Sequence, residues 1–321
     1  MKIAVIGAGA IGGLVGARLA LAGEEVTFIV RGANLEAIGA RGIKLIEMDG
    51  EEKVAAQVRA TDDYDSAGVQ DLVILALKAH QVDGVSAQIG KLFGPQTVVV
   101  TMQNGIPFWY FHRHGGEFDG RTVHSVDAGG ELARRIPPAR VLGCVVYPAA
   151  ELVAPGVIRH IEGARFPLGE LDGTASERVN AVSACFQNAG FKSPVLDNIR
   201  AEIWLKLWGN VSFNPISALA AEMMREAEAV ATKLGISFRV TLDRRIEGAA
   251  LIGKHKTSML QDVEAGRGPE IDALVGSVIE LARMTGTPTP HIDSAYALVK
   301  LLEQTMSEER GGVKLQKLVT T

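Results

Sequence analysis

The chain has 321 residues, of which 47% are apolar and 22% charged, and its formal net charge is -4. That length exceeds what one hydrophobic core usually supports, so two domains are expected. The mild acidity excludes a nucleic-acid surface built on clustered Lys and Arg, and short basic runs such as Arg134–Arg135 and Arg244–Arg245 read as solvated helix faces.

Residues 2–6 are a short β-rich apolar run ending at Gly7, the pattern of a buried parallel strand. Residues 10–22 carry helical spacing closed by Gly23. The apolar start up to Ala22 holds five glycines and lacks a basic segment ahead of a longer apolar run, so it reads as strand and helix rather than as a secretion signal. A second strand, Val26 to Val30, ends at Arg31. Then follow a helix near 33–41, a hairpin turning at Asp49–Gly50, the strand Asp71 to Leu77, a helix over 80–92 and the strand Thr97 to Met102. This alternation predicts a doubly wound parallel sheet. Further β-rich pieces, Val141 to Tyr147, Gly156 to Ile161 and Ala164 to Gly169, precede a helix over 174–190 and a last β-like piece at 191–197. From Ile199 onward helical patterns dominate. The expected division is a Rossmann α/β domain over 1–197 and an all-helical domain over 198–321. No run of about 18 uncharged apolar residues is present, so no membrane span is expected. Cys144 and Cys185 sit in apolar company without metal-ligand spacing and read as buried, reduced thiols of a cytoplasmic protein.

The motif Gly7-Ala8-Gly9-Ala10-Ile11-Gly12 lies between a strand and a helix. Gly7 permits the tight turn, Gly9 lets backbone approach a pyrophosphate, and Gly12 lets helix pack on strand. The helix N-terminus offers free N–H groups and a positive dipole end to phosphate. The second strand ends at Arg31 where an NAD enzyme has a carboxylate for the ribose 2′-OH. A guanidinium suits a 2′-phosphate, so NADP is the expected cofactor; the bland account of Arg31 is adenine stacking or helix capping. Lys78 and the Gln103-Asn104-Gly105 turn follow later strands and fall at the same carboxyl-end crevice, although Asn-Gly is also an ordinary turn signal.

In the second half, Lys206, Asn210 and Asn214 are four residues apart and share a helix face among apolar neighbours. A lysine there either snorkels to solvent or is buried with a lowered pKa, which suits proton donation to an alkoxide. Ser258 and Glu270 border helical patterns, where capping and solvation account for them by spacing alone. The seven histidines form no ligand-spaced cluster and no metal is expected; His112 and His114 read as part of a solvated loop.

The chain resembles the ketopantoate reductase family over nearly its whole length. The resemblance is carried by GAGAIGG at 7–13, Arg31, LALKAHQV at 75–82, QNG at 103–105, KLWGNVSFNP at 206–215, SMLQD at 258–262 and PEID at 269–272. It implies a Rossmann domain, a helical domain of the 6-phosphogluconate dehydrogenase C-terminal type, and substrate in the cleft between them. It also implies NADPH-dependent reduction of 2-dehydropantoate to pantoate for pantothenate and coenzyme A biosynthesis. By the same resemblance Lys206 protonates the forming alkoxide and Glu270 holds that lysine and a substrate hydroxyl. Ser258 serves the carboxylate, Asn210 and Asn214 serve polar substrate groups, and Asn104 orders the lysine and the nicotinamide end. Lys78 and Gln81 match cofactor-side positions. The partners expected are a small 2-keto acid and, compatibly with two domains, a second copy in a homodimer. One region departs from the pattern: Ile-Pro-Phe-Trp-Tyr-Phe after Gly105, with the polar stretch to about Gly120, reads as an insertion that narrows the pocket or forms a subunit contact. Reduction of a different 2-keto acid, and a non-catalytic NADP-binding redox sensor, are the alternatives; a sensor has no need of both Lys206 and Glu270.

Overall fold

A computed structural model describes residues 1–244 and 258–308, the side chains at 208 and 212–214 excepted. The chain divides into two compact units, Met1–Asn210 and Val211 onward. The division falls inside one long helix, whereas the sequence-based boundary at 197/198 coincides with that helix's start.

The first unit is built on a seven-stranded sheet in the order β11-β8-β7-β6-β1-β2-β5. Its strands are β1 (Lys2–Ile6), β2 (Glu25–Ile29), β5 (Arg59–Thr61), β6 (Gln70–Leu75), β7 (Phe93–Thr101), β8 (Val141–Cys144) and β11 (Leu168–Gly169). All pairings are parallel except that of β11 with β8. Strands such as β1 and β6 are apolar on both faces because both faces are covered: Ile3 and Val5 join one core cluster, Ala4 and Ile6 the other.

A second sheet, ordered β4-β3-β10-β9, comprises β3 (Ile43–Ile46), β4 (Glu52–Ala55), β9 (Ala149–Ala154) and β10 (Val157–Glu162). The expected hairpin at Asp49–Gly50 joins β3 to β4. Strand β9 is an addition to the sequence expectation; it pairs antiparallel with β10 across Pro155-Gly156, with Gly156 at φ +72°. Helix α1 (Ala10–Leu21) lies between the two sheets. Its glycines permit the close approach, since a Cβ on Gly13 would strike Ile158 of β10 and one on Gly16 would strike Phe28 of β2. The expected strand at 191–197 is reduced to isolated bridges, Lys192 to Arg165 and Val195 to Leu168.

Five further helices complete this unit and lead out of it: α2 (Ala33–Arg41), α3 (Tyr64–Ala67), α4 (Ala79–Ile89), α5 (Glu131–Arg135) and α6 (Glu177–Asn188). The long helix α7 (Ile199–Lys233) runs through Pro215, whose missing N–H removes one bond of the helical ladder. In the second unit α7 is followed by α8 (Ser258–Glu264), a π-helical stretch at Asp272–Gly276, α9 (Ser277–Thr285) and α10 (Pro290–Glu308). Helix ends here are tied to α7. Glu226 accepts the His291 and Ile292 amides at 3.0 and 2.9 Å, while Lys233 donates to the Thr285 and Gly286 carbonyls at 3.2 Å each. No helix of the described residues is long and apolar enough to cross a membrane.

Candidate active site

Strand β1 delivers Gly7 to the carboxyl edge of the parallel sheet, where its amide donates to the Ile29 carbonyl at 3.0 Å. Gly7 has φ +96°, a conformation open to glycine. A Cβ on Gly12 would lie 2.0 Å from the Gly7 carbonyl oxygen, so the third glycine is demanded by the contact between helix and strand. A Cβ on Gly9 would meet nothing within 4 Å, which leaves room for a ligand to touch backbone there. Helix α1 begins at that point with no side-chain cap and no acidic residue in its first turn. Its free N–H groups and positive dipole end are therefore available to an anion. Asn34 braces the loop, donating to the Ala8 carbonyl at 3.2 Å and accepting from the Gly156 amide at 3.0 Å.

Beside the loop runs an open groove of about 790 Å³, lined by Gly7, Ala8, Arg31, Asp62, Leu77 and Gln81 among others. Arg31 is exposed, two residues past the end of β2. Lys78 is exposed at the start of α4, and its amide donates to Gln81 Oε1 at 3.1 Å. These residues fit a dinucleotide: phosphates at the α1 N-terminus, with a permanent cation at the end of β2.

A second hollow, of about 360 Å³, lies past the ends of β7 and β8 against the first turns of α7, lined by Gln103, Asn104, Trp109, Cys144, Lys206 and Asn210 among others. Gln103 fastens the loop after β7 to the end of β6, donating to the Leu75 and Leu77 carbonyls at 2.8 and 3.0 Å. The neighbouring Asn104 then accepts a hydrogen bond from Lys206 Nζ at 2.8 Å, and Lys206 also donates to the Val146 carbonyl. Burial pushes the Lys206 pKa below the ordinary lysine value. The Cys144 thiol, fully enclosed, is itself pushed up to about 12 and stays neutral. A partly desolvated amine with two fixed acceptors suits a proton donor better than a snorkelling side chain.

The profile described as ketopantoate reductase PanE/ApbA matches residues 3–173, and that of its C-terminal part matches 198–303. A 2-dehydropantoate 2-reductase of Mesorhizobium japonicum is 52% identical over 320 residues, covering 94% of this chain and 98% of that protein. The chain belongs to the ketopantoate reductase family. Among solved structures, a protein of Ralstonia solanacearum MolK2, named provisionally as a ketopantoate reductase, is 41% identical with a TM-score of 0.66; 95% of this chain and 98% of that one are covered. A 2-dehydropantoate 2-reductase of Methylococcus capsulatus is 28% identical with a TM-score of 0.57, covering 95% and 97%. As a member of the ketopantoate reductases the chain is an oxidoreductase that works with a nicotinamide dinucleotide.

Set within the ketopantoate reductase fold, the sequence-predicted residues divide between the two units. Gly7 to Gly12, Arg31, Lys78, Gln81, Asn104, Lys206 and Asn210 belong to the first, where Asn104 and Lys206 are in contact and Asn210 lines the same hollow. Ser258 and Glu270 belong to the second; both are exposed, Ser258 opening α8 and Glu270 preceding the helical stretch that runs into α9. The Asn214 side chain lies outside the described residues.

The segment after Gly105 folds into the first unit, and its Pro107 and Trp109 line the hollow beside Lys206. Phe108, Trp109 and Tyr110 are buried, Trp109 donating to Thr101 Oγ1 at 2.9 Å. Arg200 of α7 grips the segment through the Tyr110 and His112 carbonyls at 2.8 and 2.6 Å, and Trp204 donates to Tyr110 Oη at 2.7 Å. His114 is solvated as expected, whereas His112 is half-buried: its Nε2 is enclosed without a partner, and burial lowers its pKa. Apolar packing against α7 draws this stretch inward. Three polar residues near Lys206 escaped the sequence reading: Tyr147, Arg165 and Glu202. Glu202 alone carried a signal, standing four residues before Lys206 on the same helix face.

Proposed function

We propose that the chain reduces 2-dehydropantoate to pantoate with NADPH, in the cytoplasm, with Lys206 as the proton donor. The observation that carries this reading is the Lys206 amine, held by Asn104 at the carboxyl edge of a parallel sheet whose first βα loop is built for phosphate. A bound reduced nicotinamide supplies a hydride to the C2 carbonyl carbon. The Lys206 ammonium stabilises the charge that gathers on the carbonyl oxygen and then transfers one proton to it, leaving a neutral amine and a hydroxyl; a positioned acid of this kind is worth roughly 10²–10⁴-fold. Asn104 keeps the amine in place, and the first-turn amides of α1 with Arg31 hold the phosphates. Arg31 supports NADPH over NADH because its planar charge matches a 2′-phosphate. Ser258 and Glu270 keep the roles the family resemblance implies, a donor for the substrate carboxylate and an acceptor for its hydroxyl. The 52% identity to a 2-dehydropantoate 2-reductase supports the substrate. The test is NADPH oxidation against a panel of 2-keto acids that includes 2-dehydropantoate. Preference for 2-dehydropantoate is expected; preference for another acid, or no turnover with any, overturns the proposal.

A further inference from the structure

Lys206 is not the last polar group on its stretch of α7. One turn earlier, Glu202 points into a small closed network. Its Oε1 accepts the Tyr147 hydroxyl at 2.9 Å and forms an ion pair with Arg165, and the Glu202 side chain is only 12% exposed. The Arg165 guanidinium stacks 5.1 Å above the Tyr147 ring, and the Tyr147 amide donates to the Arg165 carbonyl at 3.2 Å. Tyr147 directly follows Val146, the residue whose carbonyl accepts from Lys206, and its ring centroid lies 5.8 Å from Lys206 Nζ. The second and third residues after β8 are thus each pinned to α7, Val146 through Lys206 and Tyr147 through Glu202.

We infer that Glu202, with Tyr147 and Arg165, is a positioning clamp that sets the Val146 carbonyl against Lys206 and so aims the lysine amine. The inference rests on Lys206 being the proton donor. An ammonium has three N–H donors. Among the described residues Asn104 and Val146 take two, so holding both acceptors still directs the third toward a substrate oxygen.

The clamp also has an electrostatic consequence. The ionisable side chains around Lys206 in this unit are Cys144 on β8, Tyr147 beyond it, Glu202 on its own helix, and Arg165 behind Tyr147. Cys144 is neutral, and burial with the bond to Glu202 raises the Tyr147 phenol. Among the described residues of this unit, the anion near Lys206 is Glu202, and Arg165 compensates it. A carboxylate left uncompensated one helical turn from a lysine would favour the charged amine and raise its pKa.

Three variants read this out through turnover, the pH–rate profile and NADPH affinity. Tyr147→Phe should lower kcat roughly tenfold or more with NADPH affinity kept, because a reacting group is misaimed. Arg165→Met should move the alkaline limb of the kcat profile upward by about one pH unit, and adding Glu202→Gln should return it. A purely structural role would not move that limb. Wild-type kcat in Tyr147→Phe, or an unmoved limb in Arg165→Met, overturns the clamp. Lys206→Ala, measured alongside, separates the two levels. If its turnover collapses, a negative result belongs to the clamp alone; if it keeps wild-type turnover, the donor assignment falls and the clamp with it.

Discussion

The Lys206 amine donates to Asn104 Oδ1 at 2.8 Å, a bond that spans 102 residues of sequence and joins α7 to the loop after β7. The groove for the dinucleotide is lined by other residues. Lys206→Ala is therefore expected to lower kcat by about 10²–10⁴-fold while NADPH still binds. Asn104→Ala is expected to do the same to a smaller degree, since it frees the amine without removing it. Steady-state kinetics paired with fluorescence titration of NADPH checks both, and near-normal turnover in Lys206→Ala would remove the residue from the chemistry.

The lowered pKa of Lys206 has two consequences of opposite sign. The protonated amine is the donor, so kcat should fall as pH rises through the folded-state value, which lies below the usual 10.5. For stability, the unfolded chain binds more protons than the folded one between the folded and unfolded pKa values, so this residue's contribution to stability grows as pH rises across that window. Denaturant unfolding of wild type and Lys206→Met at both ends of the window measures the difference. A shift in favour of the variant at the alkaline end would contradict the desolvated lysine.

Arg31 lies two residues past the end of β2 and lines the dinucleotide groove. Replacing it by Asp substitutes a hydroxyl-binding carboxylate for a phosphate-binding cation. The ratio of kcat/KM for NADPH over NADH should fall in Arg31→Asp, and an unchanged ratio would return Arg31 to a structural role.

Gly9 and Gly12 should respond differently to one added methyl group. In Gly12→Ala the Cβ meets the Gly7 carbonyl oxygen at 2.0 Å and the Ala76 Cβ at 2.7 Å, so α1 must shift, at a cost of about 1–3 kcal/mol or more. In Gly9→Ala nothing lies within 4 Å, so folding should be nearly unaffected while NADPH affinity drops. Thermal melts with and without NADPH distinguish the two; equal destabilisation of the free proteins would refute the distinction.

Much of the molecule was legible from residues alone because it depends on short-range rules. Apolar runs with β-rich composition marked the parallel strands, glycine spacing marked the phosphate loop, and Asp49–Gly50 marked a hairpin, each a matter of a few neighbouring residues. The Pro155-Gly156 turn obeys the same short-range rule, and it is what joins β9 to β10. The sequence placed Lys206 on a helix face with Asn210 but left open whether the amine was solvated or enclosed. That choice was made by Asn104 and Val146, which periodicity cannot connect to it. Likewise, the aromatic residues at 108–110 read from sequence as an insertion that narrows the pocket or forms a subunit contact, and the hold of Arg200 and Trp204 from α7 on them is invisible to local spacing. Local spacing encodes which face a side chain occupies, whereas burial and pKa depend on what packs over that face, and here the packing partners come from segments about a hundred residues away.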